Sequence, residues 1–169
     1  MKILKKIAGL AAAMCLLIGG ISAQEAKSPA KETTGTIGDM KVEVKYCAPS
    51  VRGRDIYGDL VPFGKVWRAG ANDATTITFA EDCKVEGKKV KAGTYAFFVT
   101  PKESGEWEIM LNSEAKQWGA YKMNPKKNIV VAEVTAIDAD KAEQLSYEVT
   151  EDGIQLHWDT KMINVEVSN

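Results

Sequence analysis

Of the 22 basic residues in this chain of 169, only Arg52, Arg54 and Arg68 are arginines, and all three fall within one short stretch. A guanidinium offers a planar fork of donors that matches carboxylate, phosphate or sulfate, which a lysine ammonium cannot imitate. The same fork pins loops, here by pairing with Asp55, Asp59 or Asp73 or by stacking on Trp67. Confining arginine to one segment of a lysine-rich protein means that planar donors are needed there, for internal pairing or for capture of an anion or sugar. Trp67, Trp118 and Tyr121 lie in irregular stretches, where flat rings either stack on a ligand or plug an open end of the fold. Asn72, Asp73, Thr75 and Thr76 sit where the arginine-bearing stretch runs into a strand. Such side chains anchor loops through backbone hydrogen bonds, and with Arg68 they also suit sugar hydroxyls. The candidate ligand-binding set is Arg52, Arg54, Trp67, Arg68, Asn72, Trp118 and Tyr121.

Other chemistry finds little support. Gly53, Gly58, Gly64 and Gly70 match neither GxGxxG nor a Gly-Lys-Ser/Thr phosphate loop, and read as turn glycines. The single histidine, His157, alternates with Leu156 and Trp158 and so faces away from the core. No Ser-His-Asp or Cys-His pairing stands out. Asp55 and Asp59 resemble a carboxylate pair for glycoside hydrolysis, but salt bridges to Arg52 or Arg54 explain them more simply. With no CxxC or HxxxH spacing, neither a metal nor any other cofactor is expected. The reading therefore leans away from an enzyme. Cys47 and Cys83 are either two free thiols or a disulfide, which would contribute about 3–4 kcal/mol by closing the loop between them. The Cα separation decides which.

The elements that position these residues begin after a leader. Lys2, Lys5 and Lys6 precede an apolar run from Ile7 to Ile21, and Ser22-Ala23 supplies small residues for cleavage before Gln24. Residues 1–23 thus read as a signal peptide, with an apolar run too short for a spanning helix. Lipid attachment at Cys15 is disfavoured, because Met14 precedes it and the apolar run continues past it. Residues 24–37 are polar and aperiodic and read as a flexible linker. From Met40 the rhythm has period two, as in Met40, Val42, Val44 and Tyr46, the mark of a half-buried strand. Thr94–Thr100 is apolar on both faces and should be central. Cys83–Val85 and Lys89–Lys91 flank a turn at Glu86-Gly87-Lys88, and Ala139–Gln144 is a candidate short helix. Residues 38–169 are therefore expected to be all-β: a single antiparallel sandwich of eight or nine strands, with a partly closed barrel as runner-up. The segment Ala48–Ala74 lacks alternation but holds Tyr57, Phe63 and Trp67. It should be a long ordered loop packed near Trp118 and Tyr121.

The run Tyr46-Cys47-Ala48-Pro49-Ser50-Val51-Arg52-Gly53-Arg54, followed by Ile56–Gly64 and Lys65–Thr75, resembles the family catalogued as domain of unknown function 2911. Ala92-Gly93-Thr94-Tyr95 and Gln117-Trp118-Gly119-Ala120-Tyr121 extend the resemblance, which covers about residues 38–167. It implies an exported all-β protein of bacterial envelopes and brings no activity with it. The family usually has Ser, often followed by Arg, where this chain has Cys47 and Ala48, so a disulfide would be peculiar to this sequence.

Composition excludes some partners. A formal net charge of −1 leaves no basic footprint for nucleic acid. Removal of the leader takes away three lysines and no acid, and leaves no transmembrane segment. The expected function is a periplasmic or extracellular binding module for a small polar or anionic ligand or a glycan. A protein-interaction or structural role in the envelope is the alternative, and a hydrolase the second alternative.

Overall fold

The computed structural model describes residues 27–169, so the expected leader, the Gln24 cleavage point and Cys15 lie outside the described residues. Ten strands follow in chain order: β1 (Ala30–Ile37), β2 (Met40–Cys47), β3 (Thr76–Phe79), β4 (Cys83–Val85) and β5 (Lys88–Val90). Then come β6 (Gly93–Thr100), β7 (Glu106–Asn112), β8 (Asn128–Thr135), β9 (Ile137–Thr150) and β10 (Gly153–Ser168). The only helical element among the described residues is a 3₁₀ turn at Pro125–Lys127. No helix among them is long and apolar enough to cross a membrane.

The chain is all-β. Its strands form two antiparallel sheets, one ordered β1-β2-β3-β6-β7-β8 and the other β5-β4-β10-β9, and no barrel closes among the described residues. Alternation on β2 and β3 sends Val42, Val44, Ile77 and Phe79 inward, to meet Leu145, Leu156, Ile163 and Val165 of the second sheet. Burial of these branched and aromatic side chains is the main stabilising term. At one end of the core, Trp67 stacks on Trp158 at 5.7 Å and Tyr57 packs on Trp107 at 4.7 Å. Trp107 and Trp158 are core, as their alternation requires.

β6 is central and, from Ala96 to Thr100, buried on both faces, as its double-sided apolar sequence predicts. Its outer face belongs to a second apolar cluster of Ala74, Ala96, Phe98 and Met110. Ala120 and Met123, from the irregular segment 113–127, pack against that cluster and cover the outside of the six-stranded sheet.

Three expectations require correction, and one alternative left open, at the cysteines, is decided. Residues 30–37, read as part of a flexible linker, form β1, paired along its whole length with β2. Ala139–Gln144, a candidate helix, lies within β9. Cys47 and Cys83 are free rather than bridged. Cys47 ends β2 on the outer face, whereas Cys83 begins β4 in the other sheet and points into the core. Trp67, grouped with the loop aromatics, is 9% exposed and part of the core.

Candidate functional site

The segment Ala48–Ala74 is ordered by its own contacts. Trp67 and Val99 exchange backbone hydrogen bonds, and Phe97 N–H donates to Thr75 O at 2.7 Å. Residues 68–74 therefore bulge out of a line that otherwise continues β3 beside β6. The bulge is firmly tied. Ala69 adopts a left-handed φ of 51°, unfavourable for a side chain with a Cβ. Its carbonyl accepts from Thr75 Oγ1 at 2.9 Å and from Tyr147 Oη at 2.7 Å, which hold it there. Trp67 Nε1 donates to Gly70 O, and Ala71 N–H donates to Cys47 O.

This tied bulge meets the second irregular segment. Ala74 N–H donates to Gln117 O at 2.9 Å and Gly119 N–H to Asn72 O at 3.0 Å, with Asp73 and Trp118 paired between them. The short ladder brings Arg68 and Trp118 together: the guanidinium carbon lies 6.0 Å from the indole centroid. Trp118 in turn stacks with Tyr121 at 6.2 Å and 21°. These are the most exposed large apolar side chains among the described residues, Trp118 at 64% and Tyr121 at 85%.

Trp118 also borders a groove of about 830 Å³ on the outer face of the six-stranded sheet. Its floor carries Glu32, Lys45, Cys47 and Thr76 from β1, β2 and β3, and its far wall is Asp73–Ala74 with Ala115–Trp118. Glu32, Lys45 and Thr76 share a row because Glu32 is registered with Lys45 and Lys45 with Thr76. Lys45 is held between Glu43 at 2.7 Å and Glu32 at 3.6 Å. The hydrogen bond to Glu43 raises its pKa above the ordinary lysine value.

The sequence-predicted set is therefore divided. Arg68, Asn72, Trp118 and Tyr121 gather at one end of the sheet. Arg52 and Arg54 do not join them. The Arg52 guanidinium donates to Lys27 O, and Arg54 donates to Val51 O at 3.0 Å and Ser50 O at 2.6 Å. Both pin loop carbonyls. The ion pairs among the described residues are all made by lysine, so the expected Arg–Asp pairs do not form. His157 faces away from the core as expected, with Nε2 2.8 Å from Asp140 O.

Asn112 is the residue that sequence reasoning missed. Fully buried, it donates to Asn124 O at 2.9 Å and Asn128 Oδ1 at 2.7 Å, and accepts from Glu114 N–H at 3.0 Å. Gln117 Nε2 also approaches its Oδ1 at 3.4 Å. One amide thus fastens both ends of the segment that carries Trp118 and Tyr121. The signal for it was a polar residue ending a strand just before an irregular segment.

The family described as "Protein of unknown function (DUF2911)" matches residues 28–167. The chain belongs to this family. The match spans the whole β-sandwich, including both segments that build the Trp118 site, and begins before β1. No curated protein and no solved structure matches the chain. Membership of this family carries no activity, so the chemistry of the site rests on its residues. Among the described residues, no group of three or more His, Cys, Asp or Glu stands close enough to hold a metal ion.

Proposed function

We propose that this chain is an exported, non-catalytic binding module of the cell envelope, which takes a small polar ligand at the groove bordered by Trp118. The observation that carries the reading is the exposed Trp118 at that groove, with exposed Tyr121 stacked beside it. Exposed indole and phenol faces forgo roughly 25 cal/mol for each Å² of apolar surface left in water. Here both rings are held outward by an ordered backbone ladder rather than folded into the neighbouring apolar cluster. The groove volume falls within the roughly 300–1,000 Å³ of small-molecule sites, and its mixed lining suits a ligand with hydroxyl and apolar faces. Export follows from the Lys-rich, apolar and small-residue pattern of residues 1–23.

The alternative of a protein-interaction module would draw on exposed Ile129 and Val131 along the edge strand β8. That edge is blunted by Lys88, whose Nζ donates to Val131 O, a device that discourages strand addition. The groove reading is the stronger one.

Trp118 provides the test, because Trp67, Trp107 and Trp158 are buried and only Trp118 is open to a quencher. A panel of neutral sugars, acidic sugars and small organic acids is screened by thermal shift and by acrylamide quenching of tryptophan fluorescence. At least one class should raise Tm and protect Trp118, and Trp118→Ala should abolish the rise in Tm. A panel in which nothing protects Trp118 saturably removes the proposal.

A further inference from the structure

We infer that the ligand of this site is an acidic saccharide: a sugar ring stacked on the Trp118–Tyr121 face, with its carboxylate taken by Arg68. The inference rests on the binding-module reading and adds the chemical class of the ligand.

Arg68 carries the acidic part. It is half-buried, and its Nε is cut off from solvent with no hydrogen-bond partner. No carboxylate pairs with it, since every ion pair among the described residues is made by lysine. Arg54, by contrast, uses both arms of its fork on loop carbonyls. An unsatisfied donor on a cation is costly, and the outer Nη1–Nη2 edge of the same fork, which has no ion-pair partner among the described residues, is where an anion can bind. The backbone that carries it is tied at Ala69 and Thr75, and the guanidinium carbon lies 6.0 Å from the centroid of the Trp118 ring. A planar fork so held matches a carboxylate better than a lysine would.

The rings supply the saccharide part. Trp118 and Tyr121 lie within 21° of parallel with centroids 6.2 Å apart, and both are largely exposed, so they offer ring faces on which the C–H face of a pyranose packs. Gly119 joins the two halves. At its φ of +70° the missing side chain leaves room, for a Cβ there would come within 3.1 Å of the Tyr121 ring and 4.0 Å of Arg68 Nη1. Aromatic platform and guanidinium therefore share one surface. Beyond Trp118, the groove offers Asp73, Lys116 and Gln117 for hydroxyls, with Cys47 on its floor.

The free thiol makes the groove readable. Cys47 lines it and is partly exposed, whereas Cys83 is buried, so peptide mapping after alkylation reports occupancy at Cys47. The full chain is titrated with trigalacturonate, with its methyl ester as the neutral isostere, with a glucuronate oligomer, and with inorganic phosphate or acetate alone. Acrylamide quenching of Trp118 and alkylation of Cys47 are the two readouts. One of the acidic oligomers should protect both, at least tenfold more tightly than its ester, and the simple anions should protect neither. Arg68→Lys should weaken the acid at least tenfold while leaving Tm and the circular dichroism unchanged. Gly119→Ala should weaken acid and ester alike. Equal binding of acid and ester, or an unaltered Arg68→Lys, overturns the acidic class and leaves the binding-module reading standing. Protection by phosphate or acetate alone overturns the saccharide. If no acidic oligomer protects either residue, the inference fails; the wider reading falls only if the neutral sugars and organic acids also fail.

Discussion

At the scale of single residues, Asn112 shows how a buried polar side chain fixes a surface. Its amide makes three hydrogen bonds within ordinary range and receives a longer one from Gln117, all in a site without water access. Asn112→Ala leaves Glu114 N–H and Asn124 O without these partners, which should cost about 1–3 kcal/mol in urea unfolding. The local consequence is larger: amide exchange across 113–127 should accelerate and Trp118 quenching should change, while exchange in β2 and β10 stays slow. Asn112→Asp tests the geometry, because a carboxylate would turn lone pairs toward Asn124 O and Asn128 Oδ1; a variant as stable as the parent would refute the donor role. The residue scale was also where sequence reading of the site was weakest. Arginine clustering identified Arg68 but included Arg52 and Arg54, because neighbours in a winding loop point to different elements. Trp67 has the same composition signal as Trp118, yet its backbone pairs with Val99 and its ring enters the core. Only the tertiary path of the loop separates them.

The strands were legible in proportion to how much of each is buried on one face. β2 alternates buried and exposed residues from end to end, and its period-two pattern is plain. β1 escapes that logic. Among Ala30–Ile37 only Ile37 is fully buried, so this edge strand is specified by backbone pairing and threonine rather than by an apolar face. The first half of β9 escapes it too, since Ile137–Gln144 is exposed or partly exposed throughout. That β1 is structural is testable at Gly35, where a Cβ would lie 2.7 Å from Val149 Cβ and 3.3 Å from Val149 O. The close approach lets β1 lie against β9, where Thr33 Oγ1 donates to Tyr147 O. Gly35→Val should therefore cost about 1–3 kcal/mol, by the overpacking rule for a tight contact. The loss should appear in thermal unfolding together with faster exchange along β1. A neutral substitution would restore the linker reading of residues 24–37.

At the scale of the whole molecule, the placement of ionisable groups predicts an asymmetric response to pH. The acidic side has little to lose. Asp82 and Glu133 sit below the usual carboxylate range because Lys91 and Lys102 bond to them, but both pairs are solvent-exposed and contribute weakly. The alkaline side differs, because the groups that must ionise there are in or against the core. Burial pushes the Cys83 thiol from 9.0 up to about 11, and burial likewise raises the Tyr57 and Tyr147 phenols above their ordinary 10.0. From about pH 9 the unfolded chain releases the Cys83 proton while the folded chain keeps it until about pH 11. The unfolded state then binds fewer protons, so stability falls as pH rises through that window, and the tyrosines extend the fall above pH 10. Thermal unfolding from pH 2 to pH 11 should show a shallow acid limb, confined to pH values below about 5, and a steep alkaline one. Cys83→Ala should flatten the start of the alkaline limb. Tyr57→Phe should flatten its continuation, because it keeps the ring against Trp107 and removes only a 3.4 Å hydroxyl contact to Trp158 O. An alkaline limb unchanged in both variants would mean that the core admits these charges. The closed aromatic end of the sandwich, on which the tied loop and the Trp118 surface both depend, would then be looser than its packing indicates.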